Sequence, residues 1–254
     1  MQPLTELSYG DHPRQKIDFY RPEALADGYR TVIHFHGGGL VGGSKAPHLY
    51  IDNHVAFGYV FFDCNYRFRN EVSLEEVLID AANAVRASID AMPTECKHGK
   101  IFIAGDSAGG YIAMMLAFRH DLLENAGVSP ADIGGFVFDD PMYLYGYDEF
   151  SARFTERKAF ITDLLTIPNC PLSHIKENYP YPPMFIMTYG KGIPTFPAFT
   201  HLFVGTMLRY GYIDRVRFEF YPDYPHGGNF VAPPVDGIVP YSQRAHEFYR
   251  SIKD

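Results

Sequence analysis

Lys100-Ile-Phe-Ile-Ala-Gly105-Asp106-Ser107-Ala108-Gly109-Gly110-Tyr-Ile-Ala-Met-Met-Leu-Ala-Phe-Arg119 changes its apolar pattern halfway along. Lys100–Gly105 reads as a buried strand, and Gly109–Arg119 as the helix directly after it. The spacing G-x-S-x-G falls at the junction. A turn that sharp lifts the serine hydroxyl out toward a reactant, and it needs small neighbours so that strand and helix can approach closely. A serine at a helix start also lies near backbone N–H groups that have no intrahelical partner. A glycine-serine turn that only caps a helix has the same letters; the strand-to-helix setting favours Ser107 as a nucleophile.

Working outward, two loops supply what such a serine lacks. His36-Gly37-Gly38-Gly39 follows the apolar run Arg30–His36, and its consecutive glycines can aim N–H groups at one point without side-chain obstruction. Gly37 and Gly38, with the N–H of Ala108, are the candidate donors to a developing oxyanion. A phosphate loop of the form G-x-x-x-x-G-K-[ST] does not occur. A serine hydroxyl also needs a base. His226, in Tyr221-Pro-Asp-Tyr-Pro-His226-Gly227-Gly228, comes after the strand Arg215–Tyr221 and before a terminal helix. Of the eleven histidines, His12, His48, His54, His98, His120, His174, His201 and His246 have no comparable placement and read as surface or packing residues. His34 and His36 alternate on one strand as a metal pair would, yet no cysteine or carboxylate has ligand spacing to them, so neither metal nor cofactor is assigned.

The remainder of the chain alternates strands and helices. A hairpin over Leu4–Tyr9 and Gln15–Tyr20 precedes a polar turn at Pro22–Gly28. Further strands are expected at Tyr59–Cys64, Ile133–Asp139 and Met184–Tyr189. Helices are expected at Leu49–Phe57, Phe196–Tyr210, Tyr241–Ile252 and Leu74–Met92, the last with Ser73 as N-cap. Residues Met142–Tyr181 are irregular and aromatic, with a helix around Arg157–Leu165, and read as a lid-like insertion. Tyr143, Tyr145, Phe150, Phe154, Phe160 and Leu164 fit either a substrate cover or ordinary core. This order predicts an α/β fold with a mostly parallel sheet, helices on both faces, and one domain over 1–254.

Composition narrows the partners. Of 254 residues, 46% are hydrophobic and 20% charged, which excludes disordered and fibrous classes. The net charge of −8 offers no positive field to nucleic acid or anionic lipid, so a neutral or cationic small molecule is the expected partner. Cys64, Cys96 and Cys170 are too few and too far apart for a disulfide framework. With neither a signal peptide nor a run of about 18 apolar residues, a cytoplasmic protein without a membrane span is expected. A homodimer is compatible with the sequence, which carries no mark for or against it.

These residues together resemble the hormone-sensitive-lipase-like esterases of the α/β-hydrolase superfamily. H-G-G-G (36–39), Asn65-Tyr66-Arg67, G-D-S-A-G-G (105–110), Pro182-Pro183-Met184-Phe185-Ile186 and H-G (226–227) fall in the order of that family. The resemblance implies an α/β-hydrolase fold, hydrolysis of small carboxylic esters through an acyl-serine, short acyl chains, and Tyr66-Arg67 as structural support. The N-terminal cap of larger members is expected to be absent.

One element of the pattern is missing. The family places the acid that orients the histidine in G-x-x-D after the strand Met184–Tyr189, where this chain has Gly190-Lys191-Gly192-Ile193 and no Asp or Glu between Glu177 and Asp214. Three readings compete. Asp140, in Phe138-Asp139-Asp140-Pro141 at the end of the neighbouring strand, reaches the same imidazole, as in some lipases of the superfamily; Asp139 then points to the opposite face. A Ser-His dyad is weaker, because losing the acid's orienting role costs about 10⁴ in rate. A non-catalytic binding protein on a hydrolase scaffold is the third, and an amide-directed hydrolase shares the machinery of the first.

Overall fold

The computed structural model describes residues 1–25, 30–96, 99–143 and 167–253. Eight strands form one sheet: β1 (Thr5–Ser8), β2 (Lys16–Tyr20), β3 (Arg30–Phe35), β4 (Val60–Cys64), β5 (Lys100–Asp106), β6 (Ile133–Asp139), β7 (Met184–Tyr189) and β8 (Val216–Tyr221). Their order is β1-β2-β4-β3-β5-β6-β7-β8. The hairpin strands β1 and β2 run antiparallel, β2 also against β4, and every other pair is parallel. Helices α1 (Leu49–Ala56), α2 (Leu74–Ala91), α3 (Ala108–Phe118), α4 (His120–Asn125), α5 (Thr195–Arg209), α6 (Gly228–Val231) and α7 (Pro240–Ser251) make the connections and the C-terminal end.

Strand alternation builds two cores. Ile33, Phe62, Ile103, Phe138 and Ile186 face one side and bury against α2, α3 and α5. Val32, Phe61, Phe102, Val137 and Phe185 face the other and bury against α1 and α7. Continuous apolar runs such as Val60–Phe62 are what a strand covered on both faces requires. Helix α2 begins where expected: the Ser73 side chain accepts from Glu76 N–H, and Glu76 returns a bond from Ser73 N–H, a capping box.

Most element ends agree with the sequence reading to within a residue or two. The short helices α4 and α6 carry too little periodicity to be read from sequence. Of the insertion expected over 142–181, Tyr143 is buried in the core and its hydroxyl donates to Thr200 Oγ1 at 3.0 Å. The helix expected at Arg157–Leu165, the residues Tyr145, Phe150, Phe154, Phe160 and Leu164, the end of the turn at Gly28, and His98 lie outside the described residues. Among the described residues no helix is long and apolar enough to cross a membrane.

Candidate active site

The elbow between β5 and α3 is dictated by close packing. A Cβ at Gly105 would lie 2.3 Å from the Gly109 backbone, and one at Gly109 would lie 1.9 Å from the Phe35 carbonyl oxygen. Only glycine allows strand and helix to meet at that distance. Ser107 sits at the apex with φ +52° and ψ −112°, a conformation that a non-glycine residue holds only when its surroundings impose it. They do so through three backbone bonds: Ser107 N–H donates to Asp139 O at 2.8 Å, and its carbonyl accepts from Tyr111 N–H at 3.0 Å and Met142 N–H at 2.9 Å.

His226 lies on the loop after β8, and its Nδ1 is 2.5 Å from Asp140 Oδ2. Asp140 follows β6 directly, is fully buried, and has φ +43°. Its N–H donates to Met187 O at 2.8 Å, and its second carboxylate oxygen accepts from the Thr188 hydroxyl at 2.7 Å. A buried carboxylate with an imidazole on one oxygen and a hydroxyl on the other has its charge satisfied on both sides. Phe196 meets the imidazole edge-on, with centroids 5.3 Å apart at 84°.

Asp139 points elsewhere, as strand alternation requires. It accepts from the Tyr189 hydroxyl, and burial holds its carboxyl well above the usual carboxylate range. The segment Gly190–Ile193 packs against the histidine loop through backbone contacts: Gly190 N–H donates to Tyr221 O at 2.9 Å and Lys191 N–H to Tyr224 O at 3.0 Å. Ile193 lines the cleft where the resemblance would put a carboxylate.

The glycine loop requires one correction to the sequence reading. Gly37 N–H, expected among the oxyanion donors, donates instead to both oxygens of Asp106, at 3.1 Å each. Gly38 and Gly39 follow at φ +117° and +63°, and with Ser107, His226 and Asp106 they line a cleft of about 1000 Å³. Gly39, which the sequence reading did not single out, lines the cleft beside Gly38, and α3 begins at Ala108, one residue before the expected start. Tyr66 and Arg67 are supports: the Tyr66 hydroxyl donates to His36 O at 2.8 Å and its ring stacks on His36, while Arg67 forms a two-pronged pair with buried Asp80.

His34 and His36 do not act as a pair. His36 has Nδ1 at 2.6 Å from Gly37 O and Nε2 at 3.3 Å from the Arg14 guanidinium, and burial pushes its pKa down to about 4, which keeps the ring neutral. His34 faces Asp63 and Asp106. His54 and His120 are buried packing residues.

A serine at a strand-to-helix elbow, on the carboxyl edge of a sheet with this strand order, is the arrangement of the α/β-hydrolase fold, the fold the motifs led us to expect. The BD-FAE family model matches residues 17–144, and the chain belongs to that family. It is 31% identical over 121 residues to Probable carboxylesterase 6 of Arabidopsis thaliana, covering 44% of this chain and 35% of that protein. It is 22% identical to Probable isoprenylcysteine alpha-carbonyl methylesterase ICMEL1 of the same plant, covering 92% of this chain and 52% of the relative. The chain thus spans about half or less of the curated relatives it matches. Among solved structures, esterase B of Lactobacillus rhamnosis superposes with a TM-score of 0.73 at 16% identity, covering 99% of this chain and 87% of that one. The propionate-bound esterase 2 of Thermogutta terrifontis superposes with 0.72 at 22% identity, covering 98% and 94%.

Proposed function

We propose that this chain hydrolyses small, neutral carboxylic esters with short acyl groups through an acyl-serine intermediate. The observation that carries the reading is the contact of His226 Nδ1 with Asp140 at 2.5 Å, which provides an acid although 190–195 has none. With Nδ1–H held by Asp140, Nε2 of the ring is the basic nitrogen. Ser107 Oγ attacks the ester carbonyl carbon as His226 Nε2 takes its proton. The carbonyl oxygen becomes an oxyanion received by the N–H groups of Gly38, Gly39 and Ala108. The C–O bond then breaks, and the alcohol leaves with the proton from His226. Water, deprotonated by the same nitrogen, attacks the acyl-serine and releases the acid and free Ser107.

The carboxylesterase and methylesterase names of the relatives support an ester as substrate. The cleft supports a neutral one: it is lined by Leu49, Tyr50, Phe196, Phe230 and Val239 and, among the described residues, by no lysine or arginine. The Asp140 contact also favours a hydrolase over a non-catalytic scaffold, whose motive is the missing carboxylate. We read the chain as one domain around the single sheet, and the three free, buried cysteines fit a reducing compartment such as the cytoplasm.

The test is Ser107→Ala on short nitrophenyl esters, with a fluorophosphonate probe on both proteins. The variant should lose activity by a factor of about 10⁴ or more, and only the parent should be labelled, at one equivalent. Turnover at the parental rate by Ser107→Ala overturns the reading.

A further inference from the structure

Three neighbouring strands each place a polar side chain beneath the glycine loop. In the order β4-β3-β5, His34 stands in register with Asp63 on one side and Ala104 on the other. Asp106 lies two residues beyond Ala104 and shares its face. Nδ1 of His34 is 3.0 Å from Asp63 Oδ1, and Nε2 is 3.5 Å from Asp106 Oδ1. His34 and Asp63 are fully buried. Each carboxylate also holds a backbone amide: both Asp106 oxygens accept Gly37 N–H, and Asp63 Oδ2 accepts Ala46 N–H at 3.2 Å. Gly37 and Ala46 bracket the loop that carries Gly38 and Gly39. One imidazole thus lies between the two carboxylates that grip the loop at its two ends, bonded to Asp63 and with Nε2 close to Asp106 but not hydrogen-bonded to it.

We propose that Asp106, His34 and Asp63 are positioning residues for the oxyanion loop, the carboxylates fixing its ends and His34 holding Asp63 beside Asp106. The proposal rests on the acyl-serine reading above. Gly38 and Gly39 both sit at positive φ, where glycine has wide conformational freedom, so the fixed placement of their amides has to come from anchors at the ends of the loop. Oxyanion donors act by being in place before charge develops, so an anchor that drifts weakens the transition state more than the bound substrate. Two carboxylates below a cleft also need partners of their own; His34 bonds Asp63 directly and lies 3.5 Å from Asp106. Burial raises the Asp106 carboxyl above its ordinary range, and His34 acts in the opposite sense.

The experiment compares the parent with Ser107→Ala, Asp106→Ala, Asp106→Asn and His34→Gln. It measures kcat and KM on a nitrophenyl ester and inhibition by a trifluoromethyl ketone, which forms a tetrahedral oxyanion adduct on serine. Folding of each variant is checked by circular dichroism. Asp106→Ala should lower kcat by about 10- to 100-fold, the scale of a misplaced catalytic group, with KM within about two-fold. The ketone should bind it more weakly by the same factor as kcat. Asp106→Asn, which still offers an oxygen to Gly37 N–H, should recover most of the loss, and His34→Gln should fall between. Parental kcat and ketone binding in folded Asp106→Ala, or an Asp106→Asn as impaired as the alanine variant, overturns the proposal. If Asp106→Ala does not fold, His34→Gln decides: ketone binding and kcat must fall together, and parental values for both overturn it. A Ser107→Ala that keeps parental turnover strikes the acyl-serine reading itself, whereas an inactive Ser107→Ala beside an unimpaired Asp106→Ala strikes only the positioning role.

Discussion

The serine elbow and the acid at His226 solve their problems over different ranges of sequence. Around Ser107 the letters that mark the turn lie within a few residues, β5, Gly105, Gly109 and the start of α3, although Phe35, Asp139 and Met142 close on it from other segments. The contact between Asp140 and His226 joins residues 86 apart, from the ends of β6 and of the loop after β8. A local device tolerates little change in its letters, because each one faces a neighbour at van der Waals distance. A device assembled across strands can exchange its strand of origin, provided that the new carboxylate reaches the same nitrogen. Neighbouring parallel strands end side by side at the carboxyl edge of the sheet, so Asp140 at the end of β6 can stand in for a residue after β7.

That difference can be broken at the elbow first. Gly109→Ala puts a methyl group 1.9 Å from the Phe35 carbonyl oxygen, where backbone rather than a yielding side chain must move. We expect destabilisation of more than about 4 kcal/mol, at the far end of single-substitution effects, seen as loss of soluble protein or a collapsed melting temperature. A stable, active Gly109→Ala would show the elbow to be less constrained than its geometry says.

A smaller effect sharpens the other side by separating two adjacent aspartates. Burial raises the Asp139 carboxyl, so the folded protein holds that proton more tightly than the unfolded chain does. Stability is then relatively favoured at low pH and falls as pH rises above the ordinary value of 3.8 toward the raised one. Asp139→Asn keeps an acceptor for the Tyr189 hydroxyl and has no proton to lose. Denaturant melts across pH should therefore show the variant gaining on the parent as pH rises above about 4. A stability difference independent of pH would contradict a carboxyl raised by burial at Asp139.

The fold and three of the functional loops were legible because their signals are local. Apolar runs of five or six residues mark β3, β4 and β5, and the glycines and His226 sit at their expected distances from strand ends. Asp140 could be named as a candidate because strand alternation separates it from Asp139 and because β6 precedes β7. Alternation cannot say which of three readings of the missing acid is right, since a contact between residues 140 and 226 is a tertiary fact. Gly37 was misassigned for a related reason: the sequence counts the amides in the loop, but the one already taken is taken by Asp106, 69 residues away. Thr188 on Asp140 and Asp63 on Ala46 are likewise partners that no local pattern announces.

Asp140 is the acid we propose for His226, and one paired measurement addresses that proposal most directly: kcat/KM of Asp140→Asn and Asp139→Asn on the same short ester at neutral pH. Asparagine at 140 keeps the shape but can hold the imidazole in the wrong tautomer, at a cost of about 10⁴ in an analogous triad. We predict a loss of that order for Asp140→Asn and near-parental turnover for Asp139→Asn. Near-parental turnover for Asp140→Asn, or a loss confined to Asp139→Asn, would contradict it.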